Sequence, residues 1–215
     1  QPYEVQDSSG TPIVTGSFSP ATGFQLTVPL PTTVDPYAEY TFVTSGFAAT
    51  INLPHDCANP DLSVAGVCSD PRVFTITNTG GDMLTGQTYQ ILQGAVVVRT
   101  ATFTVAGGAS VDVAAPNGLN PYGEYTFVTN GFAATLNQPH TCGQPEFEPG
   151  SACAAPRYFT ITNNGSPMLS PQAFDILRDG QVVYSGSLML NTGESFTFTQ
   201  PVSDDPYGTY TLVSD

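Results

Sequence analysis

Apolar and polar positions alternate with a period of two along most of this chain. Phe74 and Ile76 alternate with Thr75 and Thr77, Phe103 and Val105 with Thr102 and Thr104, and Phe196 and Phe198 with Thr197 and Thr199. That spacing puts apolar side chains on one face of an extended segment and threonines on the other, as in a half-buried β-strand. Turn signals separate the segments: Asn78-Thr79-Gly80-Gly81, Gly107-Gly108, Asp179-Gly180 and Asn191-Thr192-Gly193. Asp179-Gly180 lies between Phe174-Asp175-Ile176 and Val182-Val183-Tyr184, which predicts a tight hairpin. No stretch of helical length is free of Gly, Pro or β-branched residues, so the pattern predicts an all-β chain. In its best-preserved part it predicts six strands, near 72–78, 87–93, 95–105, 109–114, 124–130 and 131–137.

The pattern repeats. Pro36-Tyr37-Ala38-Glu39-Tyr40 returns as Pro121-Tyr122-Gly123-Glu124-Tyr125 and as Pro206-Tyr207-Gly208-Thr209-Tyr210, each 85 positions on. Cys57 and Cys68 return as Cys142 and Cys153, Gly46-Phe47-Ala48-Ala49-Thr50 as Gly131-Phe132-Ala133-Ala134-Thr135, and Arg72 as Arg157. From Pro36 onward the register has no gap, which marks a duplication. The repeat divides the chain into a module over 1–52, a cysteine linker over 53–71, a module over 72–137, a second linker over 138–156 and a module over 157–215. Closely spaced strands without helices predict small antiparallel sandwiches.

The Pro-x-Gly-x-Tyr element at Pro121, Gly123 and Tyr125 resembles the tyrosine-corner segment of fibronectin-type and immunoglobulin-like sandwiches. An ordinary turn before an aromatic strand explains it too, and both readings make Tyr40, Tyr125 and Tyr210 structural. A Phe-Thr-Ile-Thr-Asn-x-Gly strand, a hairpin, a Gly-x-Ser-Phe-Thr strand and a Gly-x-Tyr-Thr strand together resemble tandem immunoglobulin-like repeats of secreted prokaryotic surface proteins. The resemblance implies an extracellular rod, stalk or fibre module and brings no catalytic residue with it.

Composition removes other classes. Against 18 acidic residues stand four basic ones, all arginine, for a net charge of −14. Such a chain has no electrostatic footprint for nucleic acid or an anionic membrane. No apolar run reaches the ~18–20 residues that span a bilayer. At 40% hydrophobic the chain can bury a core. Lysine is absent, which excludes Lys–Asn isopeptide bonds as a means of joining subunits.

The four cysteines lie in the two linkers, eleven positions apart in each. Spacing and even count favour Cys57–Cys68 and Cys142–Cys153 disulfides, each stapling its own linker and contributing roughly 2–3 kcal/mol. Disulfides imply an oxidising compartment, extracellular or at the cell surface. The alternative is metal, with His55, Cys57 and Cys68, and their counterparts His140, Cys142 and Cys153 in the second copy, as soft ligands. Zinc sites of that kind want a fourth ligand and shorter paired cysteine spacings, so no metal and no other cofactor is expected.

Both ends of the repeat read as open. Gln1-Pro2-Tyr3-Glu4-Val5 matches Gln87-Thr88-Tyr89-Gln90-Ile91, so the first module lacks a counterpart of the strand at 74–78. Val213-Ser214-Asp215 matches Val128-Thr129-Asn130, so the last lacks a counterpart of 132–137. An open strand edge invites pairing. The expected assembly interface is Gln1, Tyr3 and Val5 at one end and Tyr210, Leu212 and Val213 at the other. The partner is either a flanking repeat of the same chain or another subunit completing the sandwich head to tail.

Little here points to catalysis. The two histidines, His55 and His140, sit one per linker with no nucleophile or acid placed beside them, so the chain is not expected to be an enzyme. Asp204-Asp205 is read as a solvated turn rather than a calcium pair, for want of EF-hand spacing. Asn164-Gly165-Ser166 is a formal glycosylation sequon. Tyr37, Tyr122, Tyr207, Phe47 and Phe132 are expected in core or inter-module packing rather than glycan stacking. The expectation is a structural subunit or repeat segment of an extracellular filament, stalk or sheath. The alternative is a surface adhesin whose modules bind glycan or a host protein.

Overall fold

The computed structural model describes residues 1–19, 21–46, 50–153, 156–200 and 208–214. Phe47, Ala48, Ala49, Asp204, Asp205, Pro206 and Tyr207 lie outside these residues. The described chain is all-β, with seventeen strands in five antiparallel sheets. The first module is one sheet, in the order β2 (Pro12–Ser17), β1 (Pro2–Asp7), β3 (Tyr40–Thr44), β4 (Ile51–His55).

The middle module is a sandwich of two sheets. One contains β5 (Leu62–Val67), β6 (Val73–Asn78) and β9 (Ser110–Ala114), and the other β11 (Leu136–His140), β10 (Tyr125–Thr129), β7 (Gln87–Gln93) and β8 (Val96–Phe103). The last module repeats this plan with β12 (Phe147–Ala152), β13 (Tyr158–Asn163) and β16 (Ser195–Thr199) in one sheet. The other contains β15 (Gln181–Leu188), β14 (Gln172–Arg178) and β17 (Tyr210–Ser214). Small antiparallel immunoglobulin-like sandwiches are what the sequence pattern predicts; the middle one has seven strands rather than the expected six, three facing four, and the last has three facing three among the described residues.

The middle core shows why the alternation matters. Phe74 and Ile76 of β6 and Phe127 of β10 are fully buried from facing sheets, with the Phe74 and Phe127 rings 5.8 Å apart. Tyr89 stacks on Phe127 at 5.3 Å and Phe103 meets it edge-on at 6.2 Å. Thr75 and Thr77 face outward, bonded to Asp112 and Ser110 across the β6–β9 pair. In the β14–β15 hairpin, Asp179 (φ +49°) and Gly180 (φ +82°) adopt the two left-handed conformations that the turn requires.

The segments read as linkers are largely strands, which corrects the sequence reading. Residues 53–71 hold the end of β4 and all of β5, and 138–156 hold the end of β11 and all of β12. Only the short connectors 56–61 and 141–146 join one module to the next. Pro54, Pro139, Pro149 and Gly150 hid these strands, because proline reads as a breaker. All four lie in edge strands, where the prolines' missing N–H costs no ladder bond. Residues 131–134, expected at the start of a strand, instead form a bend ahead of β11.

Candidate functional site

Two constructions recur in the molecule: a clamp closing the middle sandwich, and a junction joining each module to the next. The clamp begins with the cysteines. Cys68 is bonded to Cys142, with Cα atoms 5.8 Å apart, while Cys57 and Cys153 are free thiols. The expected Cys57–Cys68 and Cys142–Cys153 bridges are therefore corrected. Between Cys57 and Cys68 lies the extended strand β5, and between Cys142 and Cys153 lies β12. Six extended residues span about 20 Å, far beyond the reach of a disulfide.

The observed bond links the end of β5 to the residues after β11, and so ties one sheet to the other. It spans 74 positions, and by the chain-entropy model a loop this long is worth about 4–5 kcal/mol. His140 sits beside it, and Cys68, His140 and Cys142 have ligating atoms within 4.8 Å of one another. The cluster takes Cys68 from one of the sets weighed as metal ligands and His140 and Cys142 from the other. With the two sulfurs bonded to each other, only the imidazole remains as a donor.

Arg72 is the polar centre of the clamp, with 1% of its surface exposed. One guanidinium nitrogen lies 2.6 Å from His140 Nδ1. A second donates to the carbonyls of Pro121 and, at 3.3 Å, Gly123. The guanidinium also lies over the Tyr125 ring at 5.2 Å. Burial lowers the Arg72 pKa, and burial followed by the Arg72 charge lowers that of His140. A neutral His140 accepting at Nδ1 fits this arrangement. Tyr125 OH donates to Asn120 O at 3.0 Å, and Tyr40 OH to Asp35 O at 2.7 Å, so the tyrosine-corner bond is present in both modules.

At the module junction the same contacts occur twice. The hydroxyl of Tyr37 accepts from Leu84 N at 2.9 Å, and that of Tyr122 from Leu169 N at 2.8 Å. Each tyrosine belongs to one module and each leucine to the next. Tyr37 N bonds Asp35 Oδ1, and Tyr122 N bonds Asn120 Oδ1, so an Asx turn aims both rings.

The connectors are held as well. Gly81 N donates to Asn59 O and Thr79 N to Asp61 O; Ser166 N donates to Gln144 O and Asn164 N to Glu146 O. A Cβ on Gly81 would fall 2.2 Å from Ala58 O, so this close approach needs glycine. Buried Asn78 organises the junction from within. Its Nδ2 donates to Gly81 O and Val105 O, and its Oδ1 accepts from Asp61 N and Gly80 N. Asn163 repeats all four bonds with Ser166, Leu190, Glu146 and Gly165.

The expected assembly residues divide. Strand β1 lies between β2 and β3 and is hydrogen-bonded on both edges, so Gln1, Tyr3 and Val5 offer no open edge. Gln1 Nε2 bonds Thr44, Tyr3 stacks on Phe42 and Val5 is buried. The sequence reading counted the strand missing before β1 and missed that β3 fills its second edge. Tyr210, Leu212 and Val213 lie on β17, which among the described residues pairs with β14 alone. Sequence reasoning noted Arg72 and His140 as repeated positions, whereas it expected Tyr37 and Tyr122 in core or inter-module packing, and both bond the next module. The partners of Arg72 are 49 to 68 residues away in the chain.

No known protein family and no curated protein matches the chain. Among solved structures it is similar to a Salmonella alpha-2-macroglobulin mutant, at 14% identity and a TM-score of 0.26. The match covers all of this chain but about a fifth of that one, 21%. A likeness this weak carries no argument about activity or partners. No helix among the described residues is long and apolar enough to cross a membrane.

Proposed function

We propose that this chain is a structural element, a run of immunoglobulin-like sandwiches that forms the shaft of an extracellular filament, stalk or sheath. The observation carrying this reading is the duplicated junction. Tyr37 on Leu84 and Tyr122 on Leu169 make the same bond, and the same backbone bonds hold both connectors. A junction that repeats at a fixed offset repeats its angle, and successive modules then extend as a rod rather than as beads on a string.

The Cys68–Cys142 bond supports secretion into an oxidising environment. A structural rather than enzymatic role agrees with the engagement of His140 by Arg72. Kinship with the tandem repeats of secreted prokaryotic surface proteins and head-to-tail propagation belong to this reading. The adhesin alternative has less support, because the Tyr37 and Tyr122 hydroxyls serve the junctions.

Solution scattering tests the reading. The chain should scatter as an extended rod, and Tyr37→Phe with Tyr122→Phe should broaden its distribution of lengths. A compact profile, unchanged by the double substitution, would sink the proposal. Electron micrographs of natural material should show fibres with an axial repeat matching one module.

A further inference from the structure

We infer that the middle module carries a side cleft that takes the Phe132 ring of a second copy of this chain, so that shafts pack side by side. The contact rests on the shaft reading above for its biological setting but on separate observations for its geometry.

The cleft opens between β8 and β9, each an edge strand of its own sheet. It holds about 600 Å³, a volume that admits a small ligand. Tyr89, Ala101, Phe103, Val111 and Val113 form its apolar wall, with Arg99 alongside. Ala101 and Val111 are only half-buried, so the flank of the core is uncovered here. Arg99 is exposed and reaches across from β8 to the carbonyl of Ala114 on β9, at 2.6 Å.

The last module shows what such a cleft accepts. At the matching positions it has Tyr184 for Arg99, Gly186 for Ala101, Phe196 for Val111 and Phe198 for Val113. The Tyr184 and Phe198 rings lie 4.7 Å apart, and those of Phe174 and Phe196 5.2 Å apart. Gly186 makes room for them: a Cβ there would fall 2.9 Å from Phe174 and 3.0 Å from Tyr184. In that copy the chain's own aromatic rings fill the side opening. In the middle copy the same place has smaller apolar side chains on β9 and stays open to a ring from elsewhere.

Phe132 supplies the ring. Expected in core or inter-module packing, it is instead 51% exposed. The bend that carries it is held by buried Gln87, which accepts from Ala133 N at 3.1 Å and Ala134 N at 3.3 Å and donates to Thr129 and to Ala134 O. Ala133 and Ala134 pack on the core beside it. A ring on an ordered backbone loses little freedom when it docks. Against Arg99 it also gains a cation–π contact, of the kind that Arg72 makes with Tyr125 and Arg157 with Tyr210.

Strand addition is a poorer use of the same edge. β8 is bulged, because Leu92 pairs with Val97 and Ile91 with Arg99, which leaves Val98 without a partner in the ladder. A bulge blunts an edge strand against pairing, and a side chain entering the cleft is then the mode of contact.

Topology sets the form of the assembly. In the sheet order β11-β10-β7-β8, Phe132 precedes β11 at one edge and the cleft lies beside β8 at the other. Ring and cleft on opposite flanks make a heterologous contact, which propagates instead of closing a pair. Parallel shafts thus line up as a layer. Because Tyr184 already fills the opening of the last module, the contact forms at middle modules and holds neighbouring shafts in register.

The test uses the full chain with a photoreactive benzophenone side chain in place of Phe132, mixed with isotopically labelled acceptor chains and irradiated. Cleavage at Asp82, Asp112 and Glu124 puts residues 99–113 and residue 132 on separate peptides. The expected product joins residue 132 of one copy to residues 99–113 of a labelled acceptor. Cross-links that are absent, confined to single chains or scattered over the acceptor would overturn the inference.

Acceptor variants test the direction of the contact. Phe132→Ser in the acceptor leaves its cleft intact and should not change the yield. Arg99→Tyr, an exposed position given the residue of the last module, should lower the yield about fivefold or more by filling the cleft. Loss with Phe132→Ser, or no loss with Arg99→Tyr, counts against the contact. The copies carry the same net charge of −14, so raising salt from about 0.02 M to about 0.5 M should raise the yield, and a falling yield would overturn an apolar contact. Rod-like scattering without this cross-link would refute the side contact and spare the shaft. The cross-link with compact scattering would do the reverse.

Discussion

The middle and last modules are the same design, with one edge covered in the middle module and uncovered among the described residues of the last. Both carry the buried asparagine, Asn78 or Asn163, with the same four bonds, and both place an isoleucine, Ile76 or Ile161, in the core. They part at the far edge. In the middle module β11 covers the core, Arg72 is sealed against His140, and Cys68 is bonded. In the last, Leu212 and Arg157 are half-buried and Cys153 is free. Similar local sequence thus leaves an edge covered or uncovered among the described residues, according to whether a further strand lies alongside. The local devices, turns, tyrosine and asparagine, form in either case, while burial of the arginine and the disulfide depend on the closing strand.

That contrast can be attacked first at the disulfide. Cys142→Ser should lower the stability of the middle module by about 4–5 kcal/mol, read from urea unfolding, whereas Cys57→Ser should change it by less than about 0.5. Equal effects would break the comparison. Next comes the core. Phe127→Ala empties a fully buried site and should cost about 3–4 kcal/mol, and the matching Leu212→Ala should cost clearly less because Leu212 is already half-exposed.

Asn78→Ala and Asn163→Ala sharpen the comparison from the other side. Each orphans several backbone groups and should cost about 2 kcal/mol, to a similar extent in both modules, if this device is independent of closure.

The smallest effect is one of pH. His140 titrates below its ordinary 6.5 in the folded chain, so the unfolded chain takes up the proton first. Stability of the middle module should therefore be full above pH 6.5 and fall as pH drops below it. His140→Gln should remove that part of the pH dependence, and His55→Gln, at an exposed site, should leave it intact. Unfolding midpoints followed from neutral pH to about pH 5 would decide.

Much of the fold was readable because its causes are local. Alternation of Phe74, Thr75, Ile76 and Thr77 follows from a strand with one dry face, and Asp179-Gly180 from a turn needing two left-handed residues. Strands β5 and β12 were not readable. They sit at sheet edges, tolerate proline and glycine, and are extended because β6 and β13 hold them there. The disulfide was misread for the same reason: closeness along the chain favoured Cys57 with Cys68 until a strand was known to lie between them. Within the clamp, Arg72 and His140 each recur in the sequence, yet nothing in either local context indicates the other.

By itself, then, the sequence determined what repeats and what alternates: an all-β chain, an 85-residue period, the hairpin and corner turns, and a threonine-rich surface without lysine. Those properties belong to neighbours in the chain. Tertiary structure alone decided which cysteines meet, that β1 is a central strand, and which backbone groups of the following module Tyr37 and Tyr122 bind. Each of these depends on residues tens of positions apart, brought together only when two sheets face each other across a common core.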